Sequence, residues 1–246
     1  MVILRTLKLV DNSFVEKQLK LSEIKNIKEV FNGSNQVFLC EMFNGNDNFF
    51  SIYKPIKGER PLRDFFSGNL CYREKAAYEI SKFFLWPNLP PLIIREGPFG
   101  IGSFQKFISH DINENYFTLY DNYKIDLFFV AIFDFLTLNT DRKAGSILID
   151  DKKKIWTIDQ ALTFNPYTRF KTVMFEFNNQ SIDRNILNKI NDLLKNIENK
   201  KEIFEILSIW ISEDEIDSLK KRCQTLIKYK KLPKLDPNYN VPYPLI

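Results

Sequence analysis

Histidine occurs once in the 246 residues, at His110, and cysteine three times, at Cys40, Cys71 and Cys223, with no CxxC pair. A zinc centre therefore has no plausible ligand set, and a Ser-His-Asp triad would have to be built on that one histidine. The thiols are odd in number and widely spaced, which excludes a disulfide framework. They read as reduced, partly buried cysteines of a cytosolic protein. His110 follows a strand-like run among polar residues and is read as a surface-loop side chain. Any metal is then expected to be a hard cation held by oxygen, magnesium or manganese.

Charge of one sign is also scarce. A net charge of +4 is small for this length and shows no nucleic-acid footprint, and the lysine clusters at Lys152–Lys154 and Lys228–Lys231 read as solvated turns. Long apolar runs are missing too. The longest, Ile125–Leu138, is interrupted by Asp126 and Asp134 and is too short to span a bilayer. Met1–Val10 carries charges within a short apolar alternation, unlike a signal peptide. These absences lead us to expect a soluble, cytoplasmic protein without nucleic-acid partners. The chain has no internal repeat and no low-complexity linker. What it has in quantity is core material, with 44% hydrophobic residues and 23 Phe, for an interior or an interface.

The first half reads mainly as strands: Lys25–Phe31, Gln36–Met42 and Asn48–Tyr53, with a hairpin turn at Phe43-Asn44-Gly45-Asn46. Helical spacing follows over Leu70–Phe84, with Ala76, Ala77, Ile80 and Phe84 on one face, and Trp86-Pro87 ends it. Strands are expected at Leu92–Arg95 and Ser103–Ile108, joined by the Gly97–Gly100 turn. The second half reads as a buried helix over Tyr123–Leu138, a hairpin in SILIDDKKKIWTI, and helices near Asp183–Asn196, Lys200–Ile211 and Glu213–Lys228. Ser212 and Glu215 fit a capping box for the last of these. A proline-rich tail, Pro233–Pro244, is expected to lack regular structure.

Two stretches carry the chemistry, NTDRKAGS from Asn139 and TIDQALTF from Thr157. Each places one acid, Asp141 or Asp159, at the edge of an apolar segment, and the hairpin between them can fold the second beside the first. Asp141, flanked by Asn139 and Arg142, can orient an attacking hydroxyl and accept its proton. Asp159 stands at a strand end, a natural place for a ligand to a metal bridging nucleotide phosphates. Far upstream, Lys54 ends the run FFSIYKP and can bind phosphates as a point charge; alone it reads as a surface lysine before a turn, and only the acids reverse that. Glu74, in the first turns of the Leu70–Phe84 helix, can pair with Lys54 or be solvated; Glu79, on a different face, reads as solvated. Gly33-Ser34, between two strands, can lay N–H groups over phosphates or be an ordinary turn.

On these residues the chain resembles the phosphatidylinositol 3-/4-kinase-like superfamily, particularly type II phosphatidylinositol 4-kinases and a bacterial family of kinase-like proteins. The runs YKPIKGERPLRDF, REKAAYEIS, PPLIIREGPFGIGSFQKFI, NTDRKAG and the terminal YPLI are similar to the bacterial family; GSNQVF, SIYKP, GSFQKFI, NTDR and TIDQALTF are similar to the lipid kinases. The resemblance implies an α+β, two-lobed protein-kinase-like fold. Residues 1–107 would form a β-rich N-lobe with one main helix, and residues 108–246 a mainly helical C-lobe. It implies Lys54 as the phosphate lysine, Glu74 as its partner, Gly33 and Ser34 in the phosphate loop, and Gln105, Lys106, Phe107 and Ile108 as the hinge that meets adenine. Asp141 would be the catalytic-loop acid, and Asp159 the metal acid, with Ser146 at the second metal position. At that last position the lipid kinases have Asn. Gln160 and Ala161 also depart from the family pattern, and the cysteine-rich palmitoylation segment of the type II enzymes is missing. The expectation is an ATP-dependent phosphotransferase using Mg2+ (or Mn2+) and an unidentified hydroxyl acceptor: a lipid headgroup, a small polyol or a protein. Two alternatives stay open, a nucleotide-binding pseudokinase and an AMP transferase on the same fold.

Overall fold

The computed structural model describes residues 12–30, 35–65 and 69–246. It is an α+β protein. Helix α1 (Asn12–Leu21) precedes strands β1 (Glu23–Glu29), β2 (Phe38–Phe43) and β3 (Asn48–Pro55). Helix α2 (Leu70–Phe84) follows, then β4 (Leu92–Gly97) and β5 (Gly100–Lys106). These five strands form one antiparallel sheet in the order β1-β2-β3-β5-β4. The helical half comprises α3 (Tyr116–Thr137), the short hairpin β6 (Ile147–Ile149) and β7 (Ile155–Thr157), then α4 (Arg184–Glu198), α5 (Glu202–Trp210), α6 (Glu213–Tyr229) and the single turn α7 (Pro237–Asn240).

The sheet follows from its alternation. Phe38, Cys40 and Met42 of β2 point to one face and are buried, together with Tyr53 of β3 and Phe104 of β5. The opposite face of β3 carries Ile52 and Lys54, because successive side chains alternate across a strand. Strand β5 lies close against β3 at this point. A Cβ at Gly102 would collide with the Lys54 carbonyl oxygen, so only glycine fits there. Helix α2 has the bounds its spacing predicts, and Ala76, Ala77, Ile80 and Phe84 are all fully buried. It stops where Leu85 turns left-handed and its N–H closes on the Ser81 carbonyl at 2.8 Å. Glu79 corrects the expectation of a solvated acid: it is nearly buried, bridging Lys75 at 2.5 Å and Lys82 at 3.3 Å.

The main core is helical, with α3 at its centre. From Leu127 onward α3 is buried on nearly every side, against Ile190 and Leu193 of α4 and Leu219, Cys223 and Leu226 of α6. The reading of its start at Tyr123 was seven residues late. The helix begins at a capping box formed by Asn115 and Thr118 and kinks at Tyr123 (φ −127°, ψ 27°). Thr at the third position is a weaker signature than Glu or Gln, and the kink hides the continuity of the two parts. Helix α1 was not expected among strands, although Val15 and Leu19, four apart, are its buried stripe. The α6 capping box at Ser212 and Glu215 is formed as the sequence implies. The tail departs from the irregular structure expected of it only at α7, capped by Asp236 with proline in its first turn. All three cysteines are free and buried. Among the described residues no helix is long and apolar enough to cross a membrane.

Candidate active site

Lys54, on the outward face of β3, reaches two carboxylates from different parts of the fold. Its Nζ lies 2.8 Å from Glu74 Oε1 on α2 and 3.2 Å from Asp159 Oδ1 in the segment after β7. Glu74 is 1% exposed and its second oxygen accepts from Ser103 Oγ at 3.3 Å, so both oxygens of a buried acid are engaged. The register places Ser103 directly opposite Lys54, which makes this contact possible. Burial works against the lysine's charge, but Glu74 and then Asp159 outweigh it and hold the ammonium protonated well above its ordinary range.

Asp159 sits in the left-handed region at φ 59°, an uncommon conformation that Asp tolerates better than most residues. Its side chain is 57% exposed, and Ser146 Oγ lies 3.4 Å from Oδ2. Desolvation raises the Asp159 pKa, yet the charges of Lys54 and Arg142 and the Lys54 and Ser146 contacts bring it below the ordinary carboxylate range. Asp141 behaves in the opposite way. Burial pushes its carboxyl up, Lys143 at 3.2 Å from Oδ2 pulls it down, the negative Asp159 adds to the rise, and Lys171 lowers it. Thus two neighbouring acids are shifted in opposite directions, Asp159 toward lower and Asp141 toward higher proton affinity.

Arg142 and Asn139 lie beneath these acids. Arg142 is 0% exposed: Nε and Nη2 meet the two oxygens of buried Asp134 at 2.7 and 3.0 Å, and Nη1 donates to the Ile158 carbonyl at 2.8 Å. Asn139 Oδ1 accepts the Asp141 N–H at 3.0 Å, while Nδ2 lies 3.3 Å from Asp134 and 3.4 Å from Gln160. Both therefore fix the loop and the Asp159 backbone from below; neither reaches the cleft. The Thr140 N–H on the Leu162 carbonyl at 2.9 Å, and the Arg142 N–H on the Lys171 carbonyl at 3.1 Å, lace the two acid-bearing segments together.

The hinge residues lie where the chain leaves the sheet. Gln105 and Lys106 finish β5. The Lys106 and Phe107 N–H groups are already taken, by Pro91 at 2.8 Å and Phe50 at 3.1 Å. The Ile108 N–H has no acceptor among the described residues, and the Ile108 side chain packs with Leu148 and Trp156 in a small apolar cluster. His110 lies in a loop, as expected, but is half-buried, with Nδ1 2.8 Å from the Ile108 carbonyl oxygen. Gly33 and Ser34 lie outside the described residues. A cavity of about 800 Å³ lies elsewhere, between Arg63, Arg73, Asn165, Trp210 and Glu215, and none of the site carboxylates lines it.

Sequence reasoning missed Ser103, Lys143 and Asp134 as members of this constellation. Asp134 carried a usable signal: an acid inside the longest apolar run needs a buried cation, and Arg142 is the nearest arginine after it. Ser103 and Lys143 carried none, since their partners are set by strand register and loop shape.

No protein-family model matches the chain. Protein Rv2133c of Mycobacterium tuberculosis is 28% identical over 257 aligned positions, covering 90% of this chain and 92% of that protein. Among solved structures, the Golgi casein kinase superposes with a TM-score of 0.55 over 89% of this chain and 74% of that one, at 11% identity. The fold is kinase-like. A proinflammatory kinase of Helicobacter pylori, CtkA, aligns at a TM-score of 0.48 and 14% identity over 85% of this chain and 93% of that one. In a two-lobed kinase-like fold the sheet with α2 forms one lobe and the α3-centred core the other, so the Lys54–Glu74 pair lies within the first lobe and the Lys54–Asp159 contact bridges the two.

Proposed function

We propose that the chain is an ATP-dependent phosphotransferase that moves a γ-phosphate to a hydroxyl acceptor. The carrying observation is the pair of bonds from Lys54 Nζ to Glu74 and Asp159, which joins three elements distant in sequence at one cleft. We place the lobe boundary at 107/108, the point at which the chain leaves the sheet. Lys54 would bind the phosphates, with Glu74 fixing its ammonium. Ile108, Leu148 and Trp156 offer an apolar wall for adenine, and the Ile108 N–H, without an acceptor among the described residues, a donor.

The oxygen donors of Asp159 and Ser146 suit a hard cation. Magnesium takes one or two protein ligands and completes its shell from phosphates and water, a role that the Asp159 carboxylate with the neighbouring Ser146 hydroxyl would fill. Such an ion, when bound, would neutralise charge on the transferring phosphate. Asp141 would orient the acceptor hydroxyl and take its proton as the acceptor oxygen bonds to phosphorus and the bond to the ADP oxygen breaks; its raised proton affinity suits that role. Lys143, beside Asp141, limits that rise. The narrower likeness to phosphatidylinositol 3-/4-kinases belongs to the same proposal and rests on the motif runs alone.

ATP labelled at either the α- or the γ-phosphate, supplied with magnesium or manganese, tests the reading. Transfer of γ label that is lost in both Asp141→Ala and Asp159→Ala supports it. Transfer of α label would replace it by AMP transfer. Binding without any transfer would leave the second reading, a nucleotide-binding regulatory module, which Ser146 favours because a hydroxyl is a poorer magnesium ligand than an amide or carboxylate oxygen.

A further inference from the structure

Residues 232–246 are tied to the fold at successive points along the segment that follows Asp159. The Leu232 N–H donates to the Gln180 carbonyl at 3.0 Å, and Leu235 exchanges bonds of 3.0 and 3.2 Å with the Asn178 side chain. The Asn240 carbonyl accepts the Thr172 N–H at 2.8 Å, and its Nδ2 donates to the Phe170 carbonyl at 2.8 Å. The Arg169 guanidinium stacks over the Tyr239 ring, 5.3 Å from its centroid. The chain then crosses to the loop between the two functional carboxylates, where the Leu245 carbonyl accepts the Ala144 N–H at 2.8 Å. A Cβ at Gly145 would lie 3.5 Å from Ile246 Cγ2.

Ala144 opens a 3₁₀ turn, Ala144–Ser146, whose preceding residue, Lys143, supplies no side-chain cap. Its N–H is one of the orphan donors that every helical turn leaves at its start, and the Leu245 carbonyl satisfies it. Lys143 and Ser146 flank that bond; Lys143 touches Asp141, and Ser146, like Lys54, touches Asp159. The last four residues contribute little else. Tyr243, Leu245 and Ile246 are 93%, 44% and 68% exposed, so hydrophobic burial is a poor account of why they lie here.

We propose that residues 243–246 are a positioning segment of the active site: by holding the Ala144 turn they set Lys143 and Ser146 against the two carboxylates, and phosphoryl transfer depends on them. The proposal rests on the phosphotransferase reading above. A reacting group displaced by about an ångström can cost on the order of a hundredfold in rate, whereas the nucleotide contacts of Lys54 and Ile108 lie on other elements.

The test compares the full chain with one ending at Pro242, which keeps the Asn240 bonds. The expected result is a fall in kcat of at least about tenfold, with KM for ATP within about threefold and Tm within about 2 °C. Amide exchange should quicken over residues 140–148 and stay unchanged over 170–180. Unchanged kcat overturns the proposal. So does a joint fall of kcat, ATP affinity and Tm, which would make the segment merely part of the fold. If the full chain binds ATP but transfers nothing, the phosphotransferase reading fails by itself; exchange over 140–148 then still decides whether the tail holds the loop, faster exchange supporting that hold and unchanged exchange refuting it.

Discussion

Replacing Arg73 by methionine should both loosen the fold and weaken nucleotide binding, although Arg73 touches no group proposed to bind nucleotide. Arg73 precedes Glu74 on α2 and points the other way, into the helical lobe, where Nε and Nη2 meet Glu215 Oε1 at 2.9 and 2.5 Å. The other Glu215 oxygen accepts the Ser212 N–H at 2.9 Å and the Ser212 hydroxyl at 3.1 Å, closing the α6 capping box. Both side chains are buried, so the pair is a strut that sets the height of α2 from the first turn of α6. At 2.5 Å and an effective dielectric of ~20 the gross attraction is roughly 7 kcal/mol. Desolvation offsets most of it, but removing one partner strands the other charge and costs about 3–5 kcal/mol. That is a large share of a typical ~5–15 kcal/mol stability. For a chain of this length each kcal/mol moves Tm by about 2–4 °C, so Arg73→Met and Glu215→Gln should each lower Tm by roughly 6–20 °C. The double variant Arg73→Met with Glu215→Met should recover at least half of the loss, because no charge is left stranded. Well below Tm, calorimetric titration with a non-hydrolysable ATP analogue should show affinity reduced by roughly tenfold, about 1.4 kcal/mol, in both single variants. A Tm change under about 3 °C, or a large Tm loss with full nucleotide affinity in both, would refute the idea that α6 positions Glu74.

Three further outcomes follow from the same structure. Asp141→Asn should abolish transfer yet raise Tm at pH 7: burial lifts this carboxyl above its unfolded value, so ionising it is costlier in the folded chain. The gain should fade as pH falls through the unfolded carboxylate range near ~3.9, where the native residue is protonated in both states; thermal melts across pH 3–8, taken as roughly that span, read it directly. Ser146→Asn should lower the magnesium concentration for half-maximal turnover several-fold, since an amide oxygen replaces a weaker hydroxyl ligand beside Asp159; an unchanged metal titration would count against Ser146 as a ligand. The three thiols should resist iodoacetamide in the native protein at mildly alkaline pH and react after unfolding in urea. Burial pushes Cys40 up to about 11 and Cys223 to about 12, and raises Cys71 as well, so mass spectrometry showing rapid native labelling would contradict the packing.

Local patterns in the sequence carried much of this architecture because they encode which face of an element is buried. The spacing of Ala76, Ala77, Ile80 and Phe84 gave α2 its observed bounds, Asn44-Gly45 marked the turn between β2 and β3, and Ser212 with Glu215 marked the start of α6. The same local chemistry singled out Lys54, Glu74, Asp141 and Asp159 as acids and a cation at element edges. It missed α1, set among strands, and the true start of α3, where the helical period breaks at the Tyr123 kink. It also misjudged Glu79, whose two lysine partners, three and four residues away, bury it on a helix face that periodicity alone reads as solvated.

Periodicity says that a side chain is buried or exposed; it does not name the partner. That Lys54 bridges Glu74 and Asp159, that Arg73 is locked to Glu215, and that Leu245 caps Ala144 are pairings over sequence separations the local pattern cannot encode. Sequence alone determined the residue types available for chemistry: few ligands for soft metals, several oxygens for hard ones, and acids at the ends of apolar segments. Only the tertiary structure decided which acid stays exposed and which is buried, because a buried charge goes wherever its counter-charge and hydrogen bonds are complete.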